Sequence, residues 1–343
     1  MPRTALSRSD EQEDWMGWWA DVWRKKAEDW TFAKIDPANT PVKSAQTITA
    51  NGAYVSIRLA SLRIVNVRAG ITKFYGAVHS YIALAHRSGP KAEFNVLTTP
   101  ARLKDIDAAH LDAVIQANIP LLKTVPYRGD DIELEVGLFS IEAQNLAGPF
   151  LALLGQISDL AGVSYVKNAL TFAQPLTEGI RLLTGRTSDS VLEVGLRANL
   201  STPETGYYIV MRAPKGTIKT DRLHVSSTDE RLTDEDGIAI RDIPYMVLRV
   251  DATPERQAFF EIPELAQTYQ ELQAMVRDGD YDKTKDALAV FRRTALTSDE
   301  LLFADARKLV AAVEAEVEVI LPQRTTSGGE TILKELASFT PFA

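Results

Sequence analysis

From Ala53 to about Asp251 the chain alternates apolar and polar residues with a period of two, the spacing that sends successive side chains to opposite faces of a strand. Residues 54–64 (YVSIRLASLRI), 74–86 (FYGAVHSYIALAH), 92–99 (AEFNVLTT), 207–213 (YYIVMRA), 238–240 (IAI) and 245–250 (YMVLRV) read as strands. They are expected to pair antiparallel. A short helix is predicted over residues 104–117, followed by an extended stretch framed by Pro120, Pro126 and an Arg128-Gly129-Asp130 turn.

A small repeat lies inside this region. Residues 131–138 read DIELEVGL and residues 189–196 read DSVLEVGL, sharing D-x-x-L-E-V-G-L. Alternation puts Leu134, Val136 and Leu138, and likewise Leu192, Val194 and Leu196, on one face, with Glu135 and Glu193 on a wet face opposite. The copies are candidates for equivalent strands of two related halves. Gly137 and Gly195 sit within those strands, where glycine marks a bulge or a close backbone approach. Between the copies, residues 145–185 have a helical pattern, with Asp159, Lys167, Glu178 and Arg181 as their only charges.

Outside 52–251 the period is helical. Residues 9–30 read as an amphipathic helix: Ser9 is placed as N-cap, Gln12 completes a capping box, and Trp15, Trp19, Val22, Trp23 and Trp30 share a stripe that Trp18 widens. Residues 36–51 are polar and turn-rich, as in a linker. Toward the C-terminus, Pro263 opens a helix to about Arg277, Asp278-Gly279-Asp280 makes a turn, and a second helix covers about 281–295. Thr297 and Glu300 form a capping box for a third helix ended by Pro322, and a short last helix is expected at about 330–338. The expected organisation is therefore a Trp-rich helix in 1–35, a β-sandwich in 52–251 with a helical insertion at 145–185, and a C-terminal helical region in 257–338. The class is α+β, an antiparallel β-sandwich of C2-like or jelly-roll-like arrangement with a C-terminal helical bundle.

Composition narrows the chemistry. Of 343 residues, none is cysteine, which removes disulfides, thiol nucleophiles and thiolate metal sites and fits a reducing compartment. The net charge of -8 argues against nucleic acid as partner. No apolar run approaches the roughly 18 to 20 residues of a membrane span, and the first residues lack the order of a signal peptide, so a cytoplasmic protein is expected and a membrane role disfavoured.

The standard catalytic and nucleotide signatures, G-x-x-x-x-G-K-[ST], G-x-G-x-x-G, H-E-x-x-H and G-x-S-x-G, are missing from the sequence. The four histidines, His79, His86, His110 and His224, are scattered; His79 and His86 fall on opposite faces of one strand. Asp221, Asp229, Asp234 and Asp236 lie on one acidic loop and are the candidate ligands for a hard cation such as calcium, although their spacing matches no EF-hand. No other cofactor is expected.

The tryptophans, Trp15, Trp18, Trp19, Trp23 and Trp30, are the candidate docking residues, because Trp combines a large apolar area with a polar tip. The helix they form has an acidic polar face, which suits protein more than lipid. The expected function is non-enzymatic: interaction or scaffolding, with a protein partner or a second copy of the chain held by the Trp-rich helix or the C-terminal helices. The alternatives are a membrane-acting effector using the insertion at 145–185 and a cation-dependent binding module.

Two local resemblances bear on these alternatives. Residues 74–89 (FYGAVHSYIALAHRSG) are similar to the aromatic-Gly-x-His signature of perforin-like proteins but carry one extra residue between Gly76 and His79 and lack the double glycine. Residues 278–295 (DGDYDKTKDALAVFRRTA) resemble the turn and second helix of a tetratricopeptide hairpin through Gly279, Tyr281, Ala287 and Phe291. A single copy, with no period of about 34 residues around it, implies helix-hairpin packing and nothing more.

Overall fold

The structure, a computed structural model, describes residues 30–64, 68–69, 72–85, 91–97, 115–142, 190–213, 218–256, 258–324 and 333–336. Among these residues the strands are β1 (Trp30–Lys34), β2 (Tyr54–Arg63), β3 (Arg68–Ala69), β4 (Thr72–Leu84), β5 (Ala92–Leu97) and β6 (Ile115–Pro126). There follow β7 (Ile132–Glu142), β8 (Ser190–Leu200), β9 (Gly206–Arg212), β10 (His224–Val225), β11 (Leu232–Thr233) and β12 (Tyr245–Thr253). The helices are α1 (Pro263–Asp278), α2 (Tyr281–Thr297) and α3 (Phe303–Arg324).

The strands form two open five-stranded antiparallel sheets and a separate two-stranded hairpin, β10–β11, so the protein is of mixed α+β class. The first has the order β1-β9-β12-β2-β6; in the second β3, β4, β7 and β8 follow one another and β5 pairs with β4. One buried apolar cluster draws on both, taking Ile57 and Leu59 from β2, Val78 and Ile82 from β4, Leu134 and Val136 from β7, and Val210 and Leu248 from β9 and β12.

Alternation explains why 207–213 and 245–250 read as nearly continuous apolar runs. Tyr208, Val210, Met246 and Leu248 enter the shared cluster, whereas Tyr207, Ile209, Met211, Tyr245 and Val247 enter a second cluster on the outer face of the first sheet. That outer face is covered by Ile35, Leu223, Val225 and Leu232, the last three from the acidic loop and its β10–β11 hairpin. A strand buried on both faces has no wet side to supply polar residues.

The two copies of the octapeptide repeat are neighbours in one sheet. β7 pairs antiparallel with β8, with Val136 opposite Leu196, Gly137 opposite Gly195 and Leu138 opposite Val194. The register slips just beyond, between Leu138 and Phe139, so the bulge expected at the glycines lies one residue on. The wet face is also corrected for Glu135, which is buried, at a register position between Tyr81 of β4 and Arg197 of β8. Two residues earlier, Glu133 accepts from Lys91 at 2.5 Å.

Several boundaries differ from the sequence reading. Residues 115–117, expected in a helix, begin β6, an edge strand whose Pro120 and Pro126 are tolerated because an edge leaves one row of N–H groups outside the ladder. Trp30 is not helical: it opens β1 opposite Arg212. The predicted linker 36–51 lies against the fold, with Thr40 and Ile48 buried, Asp36 capping a 3-10 turn at Pro37–Asn39, and Thr47 bridging Glu204. Of the short helix expected at 330–338, residues Leu333, Lys334 and Glu335 are not helical, although Leu333 and Leu336 are buried. The helical insertion at 145–185, Trp15, Trp18, Trp19 and Trp23, and most of the helix at 104–117 lie outside the described residues.

α1, α2 and α3 share a third cluster, built on Leu265, Tyr269, Phe291, Leu309, Val313 and Val317, with the Tyr269 and Phe291 rings edge-on at 5.6 Å. Pro263 begins α1 as expected, and Gly279 ends it with φ of 77°, its N–H reaching the carbonyls of Met275 and Val276. The capping box assigned to Thr297 and Glu300 is overturned: α3 starts at Phe303, Thr297 closes α2, and the Glu300 carboxylate faces Arg256. α3 also runs past Pro322 to Arg324.

Strand direction gives the first sheet two distinct ends. Trp30, Arg212, Tyr245, Arg63 and Ile115 cluster by register at one end, and Tyr208, Val250, Thr253, Tyr54 and Pro126 lie toward the other, from which the chain continues to the helices. In the second sheet β4 contributes Ser80, wholly buried, alternating with Val78 and Ile82 and making no hydrogen bond through its hydroxyl. An orphaned buried hydroxyl costs stability. Ser80→Ala is therefore expected to leave stability unchanged or raise it by up to about 1 kcal/mol, read as the midpoint of a urea melt.

Candidate functional site

Two constellations of charged and phenolic side chains converge in the described residues. The first lies on the outer face of the first sheet, where β2, β9 and β12 present Arg58, Tyr207 and Arg249 in adjacent register positions. Glu230, from the turn of the β10–β11 hairpin, descends onto them. Arg58 donates through Nη1 and Nη2 to Glu230 Oε2 and Oε1 at 2.7 and 2.5 Å, and Tyr207 Oη donates to Oε1 at 2.6 Å. Arg249 stands 5.5 Å over the Tyr207 ring and ties back to Asp251 at 2.8 Å. Ser61 Oγ donates to the Glu230 carbonyl at 2.6 Å.

This geometry holds the Glu230 carboxylate charged. Burial alone raises a carboxyl pKa, but here the hydrogen bonds from Arg58 and Tyr207 outweigh it and hold Glu230 below the usual range. Tyr207, by contrast, is pushed up to about 12, first by burial and then by its bond to that carboxylate. A carboxylate whose two oxygens already accept three hydrogen bonds is a clasp for the hairpin over its apolar cover, and a poor proton acceptor for an incoming substrate.

Glu230 also has a positive φ of 53°, which an L side chain adopts at a cost. Two substitutions separate these effects. Glu230→Ala is expected to destabilise by about 2 kcal/mol through its unpaired partners. Glu230→Gly loses the same carboxylate yet relieves the backbone, and should be the more stable of the two by about 1 kcal/mol in parallel denaturant melts. Because the folded carboxyl pKa is depressed, its stabilisation is present above the unfolded value of about 4.3 and fades as pH falls below it.

The second constellation joins the sheets to the helices. Tyr54 Oη, at the start of β2, donates to Asp305 Oδ2 at 2.7 Å and accepts from the Leu302 N–H at 2.9 Å. The Arg256 N–H also reaches Asp305 Oδ2, at 3.2 Å. Arg256 Nη1 donates to the carbonyls of Thr124 and Glu300, and its Nη2 lies 3.4 Å from Glu300 Oε2. Arg128 adds bonds to the carbonyls of Leu301 and Asp299. Tyr54, Arg256, Glu300 and Asp305 are all buried, and Asp305 stands in the first turn of α3, where a negative charge complements the helix dipole. Burial raises the Tyr54 pKa well above the ordinary phenol, with its bond to Asp305 adding to the effect.

The residues singled out as cation ligands are dispersed along their loop and have local work. Asp229 pairs with Arg231 at 2.6 Å; although burial opposes it, that contact keeps the carboxyl below its ordinary pKa. Asp234 Oδ1 accepts the N–H groups of Asp236 and Ile238, closing a turn that Gly237 completes with φ of 77°. Asp236 is exposed, and Asp221 lies on an exposed 3-10 turn whose carbonyl accepts from Asn39. Among the described residues no group of three or more His, Asp or Glu side chains is placed to hold a metal ion.

His79 occupies β4 opposite Gly137, and His224 occupies β10 opposite Thr233. His86 and His110 lie outside the described residues. Sequence reasoning missed both constellations, since Tyr54 and Asp305 are 251 positions apart and Arg58 and Glu230 are 172 apart. The signal that existed was modest: Arg58 stands between Ile57 and Leu59, and Arg249 between Leu248 and Val250.

No helix among the described residues is long and apolar enough to cross a membrane. No family model matches the chain, and neither the curated proteins nor the solved structures hold a significant match to it.

Proposed function

We propose that this chain is a non-enzymatic interaction or scaffold protein, in which a C2-like or jelly-roll-like β-sandwich carries helices that dock a protein partner. The sandwich reading draws support from the single apolar cluster fed by both sheets. The docking reading rests on one observation about exposure. Six large hydrophobic residues are exposed among the described residues, and five of them, Phe260, Tyr281, Val290, Phe303 and Val319, belong to the helical segment or the turn that leads into it. Among the described side chains, the exposed large hydrophobics thus concentrate on the helical segment. The two polar constellations point the same way, because their side chains are spent on one another.

The Trp-rich segment at 1–35 is the second docking element of this proposal. Tagged full-length protein, a Trp15→Ala/Trp19→Ala variant and a Phe303→Ser/Val319→Ser variant are compared for what copurifies. A stoichiometric protein recovered with the parent and lost with either variant supports the proposal. Equal recovery in all three, with unchanged melting temperatures, overturns it.

A further inference from the structure

α3 is 22 residues long, about 33 Å from end to end. Its inner side is settled, since Ala306, Val310, Val313 and Val317 are buried in the cluster shared with α1 and α2. Its outer side is open from Phe303 to Val319. Ala304, Lys308, Ala311, Ala315 and Val319, spaced by three and four residues, form one stripe and are all exposed. Beside the stripe, on one flank, stand Arg307 and Glu318, both exposed, eleven residues or three turns apart. Arg307 leans toward the exposed ring of Phe303, its guanidinium 6.0 Å from the ring centre, so no carboxylate of its own helix claims it there. The neighbouring acids are committed elsewhere, Glu314 to Arg292 and Glu316 to Lys334, both at 3.2 Å.

We infer that this face of α3 docks against the same face of a second copy of the chain, with the two helices antiparallel about a two-fold axis beside Ala312. The charges select both the partner and the direction. A two-fold axis perpendicular to the helix at that point sets Arg307 of each copy opposite Glu318 of the other, so one flank provides two ion pairs. In a parallel two-fold pair this flank would face the opposite flank of the partner helix, so neither Arg307 nor Glu318 would meet its counterpart. The alanines let the helix axes approach to the short end of the usual 8 to 10 Å range, and the Lys308 ammonium at the stripe is held by Glu255 of its own chain at 3.3 Å.

One helix face is small beside the roughly 1,600 Å² of a standard interface, and the net charge of -8 on each copy opposes association, so the dimer is expected in the micromolar range. This inference stands on α3 alone and does not require the Trp-rich segment to bind anything.

Sedimentation equilibrium of the full chain tests it with two charge reversals at exposed positions, Arg307→Glu and Glu318→Arg. The parent is expected to dimerise. Each single variant should associate about tenfold or more weakly, because both symmetry-related pairs become repulsive. An equimolar mixture of the two single variants should recover the dimer as a heterodimer, and the double variant should recover it as a homodimer, all with the parent's melting temperature. A parent that stays monomeric at high micromolar concentration overturns the inference, as does a dimer indifferent to the reversals or a mixture that fails to associate. None of these failures touches the partner-docking proposal, which is read from other proteins recovered with the tagged chain.

Discussion

Asp305→Ala is expected to lower the stability of the whole protein by about 3 kcal/mol, among the largest effects open to a single side chain here. The carboxylate sits in the seam between sheets and helices, accepts the Tyr54 hydroxyl and the Arg256 N–H, and is almost wholly buried. Truncation leaves two buried donors without an acceptor and removes a negative charge from the first turn of α3. Tyr54→Phe deletes the hydroxyl and leaves the Leu302 N–H without its partner, at an expected cost of about 2 kcal/mol. The two losses share one contact, so the double variant should fall short of their sum. Urea unfolding followed separately by far-ultraviolet circular dichroism at helical and sheet wavelengths checks both the size and a second expectation. In the parent the two signals move together; in Asp305→Ala the helical signal moves first. Coincident transitions at the parent's midpoint would refute the clamp.

The second large effect is alkaline. Burial pushes Tyr245 up to about 12, and its hydroxyl accepts the Leu232 N–H at 3.1 Å beneath the hairpin. Tyr207 is pushed up to about 12 as well, and Tyr54 lies above its ordinary value through burial. In the unfolded chain these phenols lose their protons near pH 10, whereas the native state retains them. The native state then binds more protons than the unfolded one, so stability is intact below about pH 10 and falls as pH rises toward 12. Tyr245 alone accounts for roughly 2 to 3 kcal/mol across that interval. Denaturant melts at stepped pH, paired with phenolate absorbance, should show unfolding and tyrosine ionisation together. Tyrosines that ionise near pH 10 in a protein that stays folded would contradict the burial argument.

How much of this was legible beforehand depends on the range of the interaction. β2, β4 and β5 were legible because period-two alternation is a property of neighbours, and β9 and β12 because a short apolar run bounded by turn residues marks a strand buried on both faces. β6 was harder, since Pro120 and Pro126 belong in a strand only at an edge, and edges are a property of the sheet. The Thr297–Glu300 spacing imitates a capping box, but the fold brings Arg256 to the Glu300 carboxylate, and a buried cation outcompetes a local cap. Trp30 extends the helical stripe in sequence, yet its backbone completes a ladder with Arg212, 182 positions away. For the site the limit was sharper. The acidic loop announced itself by composition as a cation ligand, while Leu223, Val225 and Leu232, the residues that bury it against the sheet, were too few and too spaced to signal a cover.

The two ends of the first sheet carry a consequence for any assembly built on this chain. β12 spans nine residues, about 30 Å, from the end marked by Trp30 to the end clamped onto α3. A molecule held beside Trp30 and another held by the helices are kept apart by a hydrogen-bonded ruler that neither can shorten. Their mutual influence would then come through raised local concentration and fixed spacing, the physics of a tether, with no need for them to touch.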